Sequence, residues 1–136
     1  MGRSLLILLD THVVVWLALD YQRISPRAQT TIEKAREKDA GVAISGITLF
    51  EIALLASRGR INLKPDVGTV LSEVERRFVV LPITAKIALQ AFELPASYPK
   101  DPVDRIIAAT ALIQDIPLVT ADREIRKSRA VSTIWQ

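Results

Sequence analysis

The 136-residue sequence predicts an α/β fold, a three-layer α/β/α arrangement with a mainly parallel sheet of about five strands. Three observations point there. Leu5-Leu6-Ile7-Leu8-Leu9 is an unbroken apolar run, which suits a strand buried on both faces in the middle of a parallel sheet. Short apolar runs alternate with helix-length segments along nearly the whole chain, as right-handed βαβ units require. The length suits one domain with one good core, and no internal repeat or low-complexity linker divides it, so residues 1–136 are read as a single domain.

The first run stops abruptly at Asp10-Thr11. Residues 11–19 (THVVVWLAL) are apolar almost throughout, and Val13-Val14-Val15 favours strand on propensity. A turn at Asp10-Thr11 would let the chain leave the sheet, and the segment is read as a helix. Ser25-Pro26 starts the next helix, with Ser as N-cap and Pro at the first helical position. Residues 28–39 then mix apolar and charged side chains at helical spacing, with Glu33, Lys34, Arg36, Glu37 and Lys38 on a solvated face and Gly41 as terminator. Val42-Ala43-Ile44 reads as a second buried strand ending at Ser45-Gly46. Residues 48–57 (TLFEIALLAS) form a strongly apolar helix with one charge, Glu51, followed by a basic loop at Arg58-Gly59-Arg60.

Asp66 is placed to cap a helix running to Arg77, with Val67, Val70, Leu71 and Val74 inward. Residues 78–81 make a third strand closed by Pro82, and Thr84 opens a helix through about Leu94. Pro95, Pro99 and Pro102 mark a loop, since each restricts the residue before it from helical values. Asp101 or Val103 leads into an apolar helix over residues 104–114. Residues 117–120 are a fourth strand, followed by Ala121-Asp122 and a short basic helix, and residues 131–135 are a terminal strand.

Composition narrows the chemistry. Apolar residues make up 49% of the chain and the mean hydropathy is +0.25, which argues against disorder. No apolar run approaches the ~18 residues of a membrane span, and no small-residue cleavage site precedes Asp10 and His12, against a secretory signal. There is no cysteine, hence no disulfide framework, thiolate metal site or thiol nucleophile, and a cytoplasmic location is compatible. The single histidine, His12, excludes a His-rich zinc site and argues against a His-based hydrolytic triad. Acid–base or metal chemistry must therefore rest on carboxylates. A net charge of +3 permits a nucleic-acid partner without demanding one.

Most of the fifteen acids lie on charged helical faces, but four do not. Asp10 follows the first buried strand, and in open parallel sheets ligands bind beyond the carboxyl ends of the strands. Glu51 is isolated among Leu49, Phe50, Ile52 and Ala53; Asp104 starts an apolar helix; Asp122 lies just past the fourth strand. Each has a plain structural alternative. Asp10, Asp104 and Asp122 can cap the helices that follow them, and Glu51 can pair with Arg105 or Arg123. If instead the four converge at one sheet edge, carboxylates within ~6 Å of one another repel, and a divalent cation relieves the conflict. Oxygen donors alone favour Mg²⁺ or Mn²⁺, ions that activate water and offset charge on a phosphate undergoing displacement. Helix N-termini and the hydroxyls of Thr11, Ser45 and Thr120 would add dipoles and hydrogen bonds.

The order and spacing of these acids resemble the PIN-domain ribonucleases, and within them the VapC-like toxins of type II toxin–antitoxin pairs. The resemblance spans essentially the whole chain, through LLLDTHVVVWL around Asp10, SGITLFEIALLASRGRI around Glu51, KDPVDRIIAATAL around Asp104 and PLVTADREI around Asp122. It implies that Asp10, Glu51, Asp104 and Asp122 are both the catalytic set and the metal-binding quartet for Mg²⁺ or Mn²⁺, supported by Thr11, Thr120 and Asp101, the last ordering the loop or acting behind the ligands. It further implies a metal-dependent endoribonuclease that hydrolyses RNA phosphodiesters, a homodimer, and a cognate antitoxin that neutralises it. One position departs from the pattern: Pro99 stands where the nearest subgroup often has a histidine, two residues before Asp101-Pro102.

Arg58, Arg60, Lys64, Lys100, Arg105, Arg123, Arg126 and Lys127 are candidates to hold an RNA backbone, although each alone reads as ordinary surface charge. Trp16 and Trp135 can stack on bases or, more simply, belong to the core or an interface. The stretch 16–19 and the helix bearing Leu54 and Leu55 offer apolar surface for an antitoxin helix or a second copy. Two other classes compete. A phosphoacceptor signalling domain would want an Asp after a middle strand and a Lys after a later one, whereas Ser45 and Pro82 follow the strands taken as central. A non-catalytic binding domain that kept the fold is disfavoured because all four acids are present.

Overall fold

The fold is described from a computed structural model that covers residues 6–37 and 41–136; Leu5 of the first apolar run and Lys38 and Asp39 of the second predicted helix lie outside the described residues. β1 (Ile7–Leu9) leads into α1 (Thr11–Leu19), a 3-10 turn at Tyr21–Arg23 and α2 (Pro26–Glu37). β2 (Val42–Ser45) is followed by α3 (Gly46–Ser57) and α4 (Val67–Arg77), then β3 (Val79–Leu81), α5 (Ala85–Glu93) and α6 (Pro102–Gln114). β4 (Leu118–Val119), α7 (Arg123–Ser128) and β5 (Thr133–Ile134) complete the chain.

The five strands form one parallel sheet in the order β3-β2-β1-β4-β5. Side chains of successive strand residues leave the sheet on opposite faces, and both faces are buried. Ile7 and Leu9 join Val42, Ile44 and Val119 in one cluster, built out by Val13, Val14, Ala28, Ile32 and Ile52 from α1, α2 and α3. Leu8, Ala43 and Leu118 join the other, with Tyr98, Ile107, Ala108, Ala111 and Ile125. The uninterrupted apolar run of β1 is the consequence: the central strand has no solvated side.

The chain steps from β1 outward to β2 and β3 with its helices on the first face, then returns to β4 and β5 with α6 and α7 on the second. Right-handed crossovers require this change of face when the direction of stepping reverses. The reversal falls between β1 and β4, the place where an open α/β sheet forms its crevice. Among the described residues no helix is long and apolar enough to cross a membrane.

Local chemistry explains most element ends. Asp10 caps α1 through Thr11 N, so the strand-prone valines fold as helix and bury Val13 and Val14. Pro26 opens α2 with the Ser25 hydroxyl accepting from Ala28 N, and Asp66 and Thr84 cap α4 and α5 as expected. Gly41, at φ +88°, uses the left-handed region to give its N–H to the Ala35 carbonyl. Several boundaries differ from the sequence reading: β4 and β5 are shorter than the expected 117–120 and 131–135, and two helices start earlier than expected. α3 begins at Gly46 rather than residue 48, because the Ser45 hydroxyl caps it through Ile47 N. α6 begins at Pro102 rather than residue 104, because Asp101 accepts from both Val103 N and Asp104 N while Pro102 occupies the first turn. The sheet order also places β3 at an edge, so Pro82 follows no central strand; the central one is β1.

Arg105 is committed to the loop between α5 and α6. Its guanidinium donates to the carbonyls of Pro99 (3.0 Å), Ala91 (3.1 Å), Tyr98 (3.3 Å) and Pro95 (3.4 Å). A lysine ammonium lacks the planar fork that serves several carbonyls at once. Arg105→Lys is therefore expected to lower the unfolding free energy by about 2 kcal/mol in urea titration.

Candidate functional site

Buried polar side chains gather at the carboxyl edge of the sheet: Asp10, Thr11, Ser45, Thr48 and Thr120. Asp10, 4% exposed, stands at the β1/β4 switch. Its Oδ1 accepts from Thr11 N at 2.9 Å and its Oδ2 from the Thr120 hydroxyl at 2.8 Å. Its backbone N–H donates to Val119 O, prolonging the β1–β4 ladder by one residue. The Thr11 and Thr48 hydroxyls lie 3.0 Å apart, joining the first turn of α1 to the turn of α3 just before Glu51.

Glu51 is half-buried on α3. Burial pushes its carboxyl up, the charges of Asp10 and Asp101 add to the push, and the Thr11 hydroxyl opposes it. Asp104, also half-buried, is pushed up to about 7 by burial and then by Asp10, Asp101, Asp122 and Glu51. Tyr98, beneath α6, is driven well above its ordinary value by burial and by Asp10, Asp104 and Asp122. Asp122 caps α7 through Oδ1, which accepts from Glu124 N and Ile125 N, while its own N–H donates to the Thr120 hydroxyl at 3.1 Å. Thr120 thus touches both Asp10 and Asp122.

The structure brings all four predicted acids, with Asp101, into one mutual electrostatic field. Asp10 and Asp122 prove to be helix caps as well. For α6 the cap is Asp101, which accepts from Val103 N and Asp104 N, leaving Asp104 free of that duty. Arg105 is spent on carbonyls, and among the described residues no Lys or Arg lies within ion-pair distance of Asp10, Glu51, Asp101, Asp104 or Asp122. The pairing of Glu51 with Arg105 or Arg123 is not formed. Nor, among the described residues, do three acidic or histidine side chains close into a preformed cage. What exists is concentrated negative charge without a counter-charge, on oxygen donors only.

One participant was not picked out in the sequence. His12 Nε2 accepts from Ala121 N at 3.0 Å, which fixes the ring proton on Nδ1, 3.7 Å from Asp10 Oδ2. Burial pushes the imidazole down against the pull of Asp10 and Asp122, and Arg23 adds to the push. A neutral His12 therefore ties α1 to the loop that carries Asp122. Its place two residues after Asp10, on the first turn of α1, was the available signal. The His12 ring lies 4.9 Å from Trp16, Trp16 lies 6.0 Å from Trp135, and the Arg23 guanidinium sits over the Trp16 ring at 4.2 Å. Both tryptophans pack against the first core cluster.

A parallel sheet with acids gathered at its β1/β4 switch defines an α/β protein with a candidate cation site at its carboxyl edge. The PIN domain pattern matches residues 7–130, and the chain belongs to the PIN-domain family. It is 39% identical over 131 residues to Ribonuclease VapC22 of Mycobacterium tuberculosis, covering 95% of this chain and 98% of that relative. Among solved structures it is similar to VapBC2 from Rickettsia felis bound to a promoter DNA fragment, with TM-score 0.71 and 20% identity over 96% of this chain and 99% of that one. The DNA-bound VapBC of Salmonella typhimurium gives TM-score 0.70 and 22% identity over 94% of this chain and 96% of that one. At these identities the structural likeness speaks to the fold.

The raised Asp104 carboxyl has a consequence for stability. Asp104 releases its proton near 3.8 when unfolded and at about 7 when folded, so the folded state holds the extra proton between these values. The metal-free protein must then lose stability as pH rises through that window. Asp104→Asn is expected to remove this loss and to stabilise the metal-free protein at pH 8 by about 1 kcal/mol, allowing for solvent screening of a half-exposed group. Thermal melts in chelator at pH 5 and pH 8 measure it.

Proposed function

We propose that the protein is a metal-dependent endoribonuclease toxin of the VapC type, one catalytic domain acting in the cytoplasm and held inactive by a cognate antitoxin. The observation that carries the reading is the 39% identity to a ribonuclease over nearly the full length of both chains. Asp10, Glu51, Asp104 and Asp122 are proposed as the residues that hold Mg²⁺ or Mn²⁺, with Thr11, Thr120 and Asp101 supporting them. The donor set fits such an ion: carboxylate oxygens that, among the described residues, have no ammonium or guanidinium to neutralise them, and one carboxyl already driven to about 7.

When bound, the ion lowers the pKa of water and offsets charge on the phosphate oxygens. The chain supplies the rest. Thr11 N and the Thr120 hydroxyl hold Asp10 in one orientation, and His12 fixes the loop before Asp122. Asp122, by accepting the α7 amides through Oδ1, keeps Oδ2 for the site. Water adds to phosphorus and the 3′ oxygen departs, leaving a 5′-phosphate and a 3′-hydroxyl.

Purified protein is expected to cleave RNA in Mn²⁺ or Mg²⁺ and to stop on adding chelator. Asp10→Asn should lower the rate about 100-fold or more, as loss of several kcal/mol of charge stabilisation requires. Mn²⁺ should raise the melting temperature, since it binds only the folded site, and Glu51→Gln should weaken that rise. Equal cleavage by Asp10→Asn would overturn the assignment.

A groove of about 510 Å³ runs between α1, α2 and α4, lined by Val14, Leu17, Val70, Val74 and Phe78 together with Arg36, Lys64 and Arg77. It takes Leu17 and Ala18 from the expected stretch, but α4 rather than Leu54 and Leu55 of α3 forms its other side. We assign it to an amphipathic helix of the antitoxin. The exposed Leu89 and Phe92 of α5 offer a separate apolar face for the second copy of a homodimer. Val70→Glu is expected to abolish co-elution with the co-expressed antitoxin on size exclusion while nuclease activity is retained.

A further inference from the structure

Of the cations considered as RNA contacts, the structure separates a few from the rest. Arg105 is consumed by carbonyls, and Lys64 lines the apolar groove. Arg123, Arg126, Lys127 and Arg129, by contrast, line one concavity of about 560 Å³, closed by Gln136. Among the described residues no carboxylate lies within ion-pair distance of these four.

Local preference accounts for Arg126 and Lys127 in the last turn of α7, but not for Arg123 or Arg129. Arg123 occupies the first position of α7, where the helix dipole favours an acid. Arg129 follows α7 in the left-handed region at φ 55°, a place that glycine or asparagine fills at lower cost. Arg126 donates through Nη2 to Ala121 O at 3.2 Å, yet its buried Nε–H finds no acceptor. A buried donor left without an acceptor is costly, so the Arg126 side chain keeps hydrogen-bonding capacity unspent beside the concavity. Arg126 links the concavity to Ala121, the residue between Thr120 and Asp122.

We propose that this concavity binds backbone phosphates of the single-stranded RNA substrate that flank the scissile phosphate. The inference rests on the ribonuclease reading. The acids repel a polyanion, so a strand entering the site needs cations beside them that are free to neutralise its neighbouring phosphates. Contacts of this kind set register and affinity and carry no base information.

The test is fluorescence anisotropy with a labelled single-stranded oligoribonucleotide in chelator, where binding is read without cleavage. The triple variant Arg123→Gln, Lys127→Gln, Arg129→Gln alters exposed side chains. It is expected to weaken binding at least about tenfold at low salt and to lessen the salt slope by about 2, at about 0.7 per phosphate contact. A charge-matched control, Lys34→Gln, Lys86→Gln, Arg76→Gln, should change affinity far less. Lys127→Gln alone should lessen the slope by about 0.7, a readout available even if the triple variant folds poorly. Equal loss in the control, or none in the triple variant, overturns the site while cleavage by the wild type keeps the ribonuclease reading. Wild-type protein that neither binds nor cleaves RNA overturns both.

Discussion

The hydrogen bond from the Thr120 hydroxyl to Asp10 holds the architecture and its chemistry together. It joins the ends of the two strands between which the chain reverses its direction across the sheet. Both partners are buried, so neither can turn to water for a substitute. Thr120 also accepts from Asp122 N, and the loop between them is pinned by His12. Rotating Asp10 would therefore disturb the caps of α1 and α7 together. A carboxylate at a sheet switch is commonplace. One whose two oxygens are each assigned a donor is fixed in direction, and a fixed direction is what an ion or a phosphate can exploit.

Around that bond the electrostatics are deliberately unbalanced. Elsewhere the protein pairs its charges in the ordinary way, as Glu73 does with Arg76 and Arg77 on α4. At the carboxyl edge of the sheet Asp104 feels four other acids, and among the described residues no Lys or Arg is within ion-pair distance of any of them. Mutual repulsion of this kind lowers stability at the candidate site, as the raised Asp104 carboxyl records. The cations that might have cancelled this field sit just outside it, along α7.

Much of this was legible in the sequence, for reasons that can be traced. β1 declared itself because a strand without a solvated face must be apolar at every position. Asp66, Thr84 and Ser25-Pro26 marked helix starts because orphan amides need a nearby acceptor. The starts of α3 and α6 were misplaced by two residues each because the capping groups, Ser45 and Asp101, look like the end of a strand and part of a proline-rich loop. Sheet order was not readable, since it depends on which face each crossover takes. His12 was weighed as a histidine that lacked companions, while its partner amide lies 109 residues away. Periodicity reports on neighbours in the chain and is silent about such a bond. The acids were legible because isolated charges in apolar surroundings stand out locally, whereas their shared field is a property of the assembled edge.

The separation of Asp10 from Thr120, 110 residues along the chain, bears on how the protein is made. During synthesis the N-terminal strands and helices emerge first and can begin to pack. β1, however, has only one of its two neighbours until β4 arrives, and the carboxylate at its tip has no hydroxyl to fix it. Asp122 follows β4 by only a few residues. A nascent or truncated chain that stops short of Thr120 thus carries Asp10, Glu51 and Asp104 but no finished edge on which to use them.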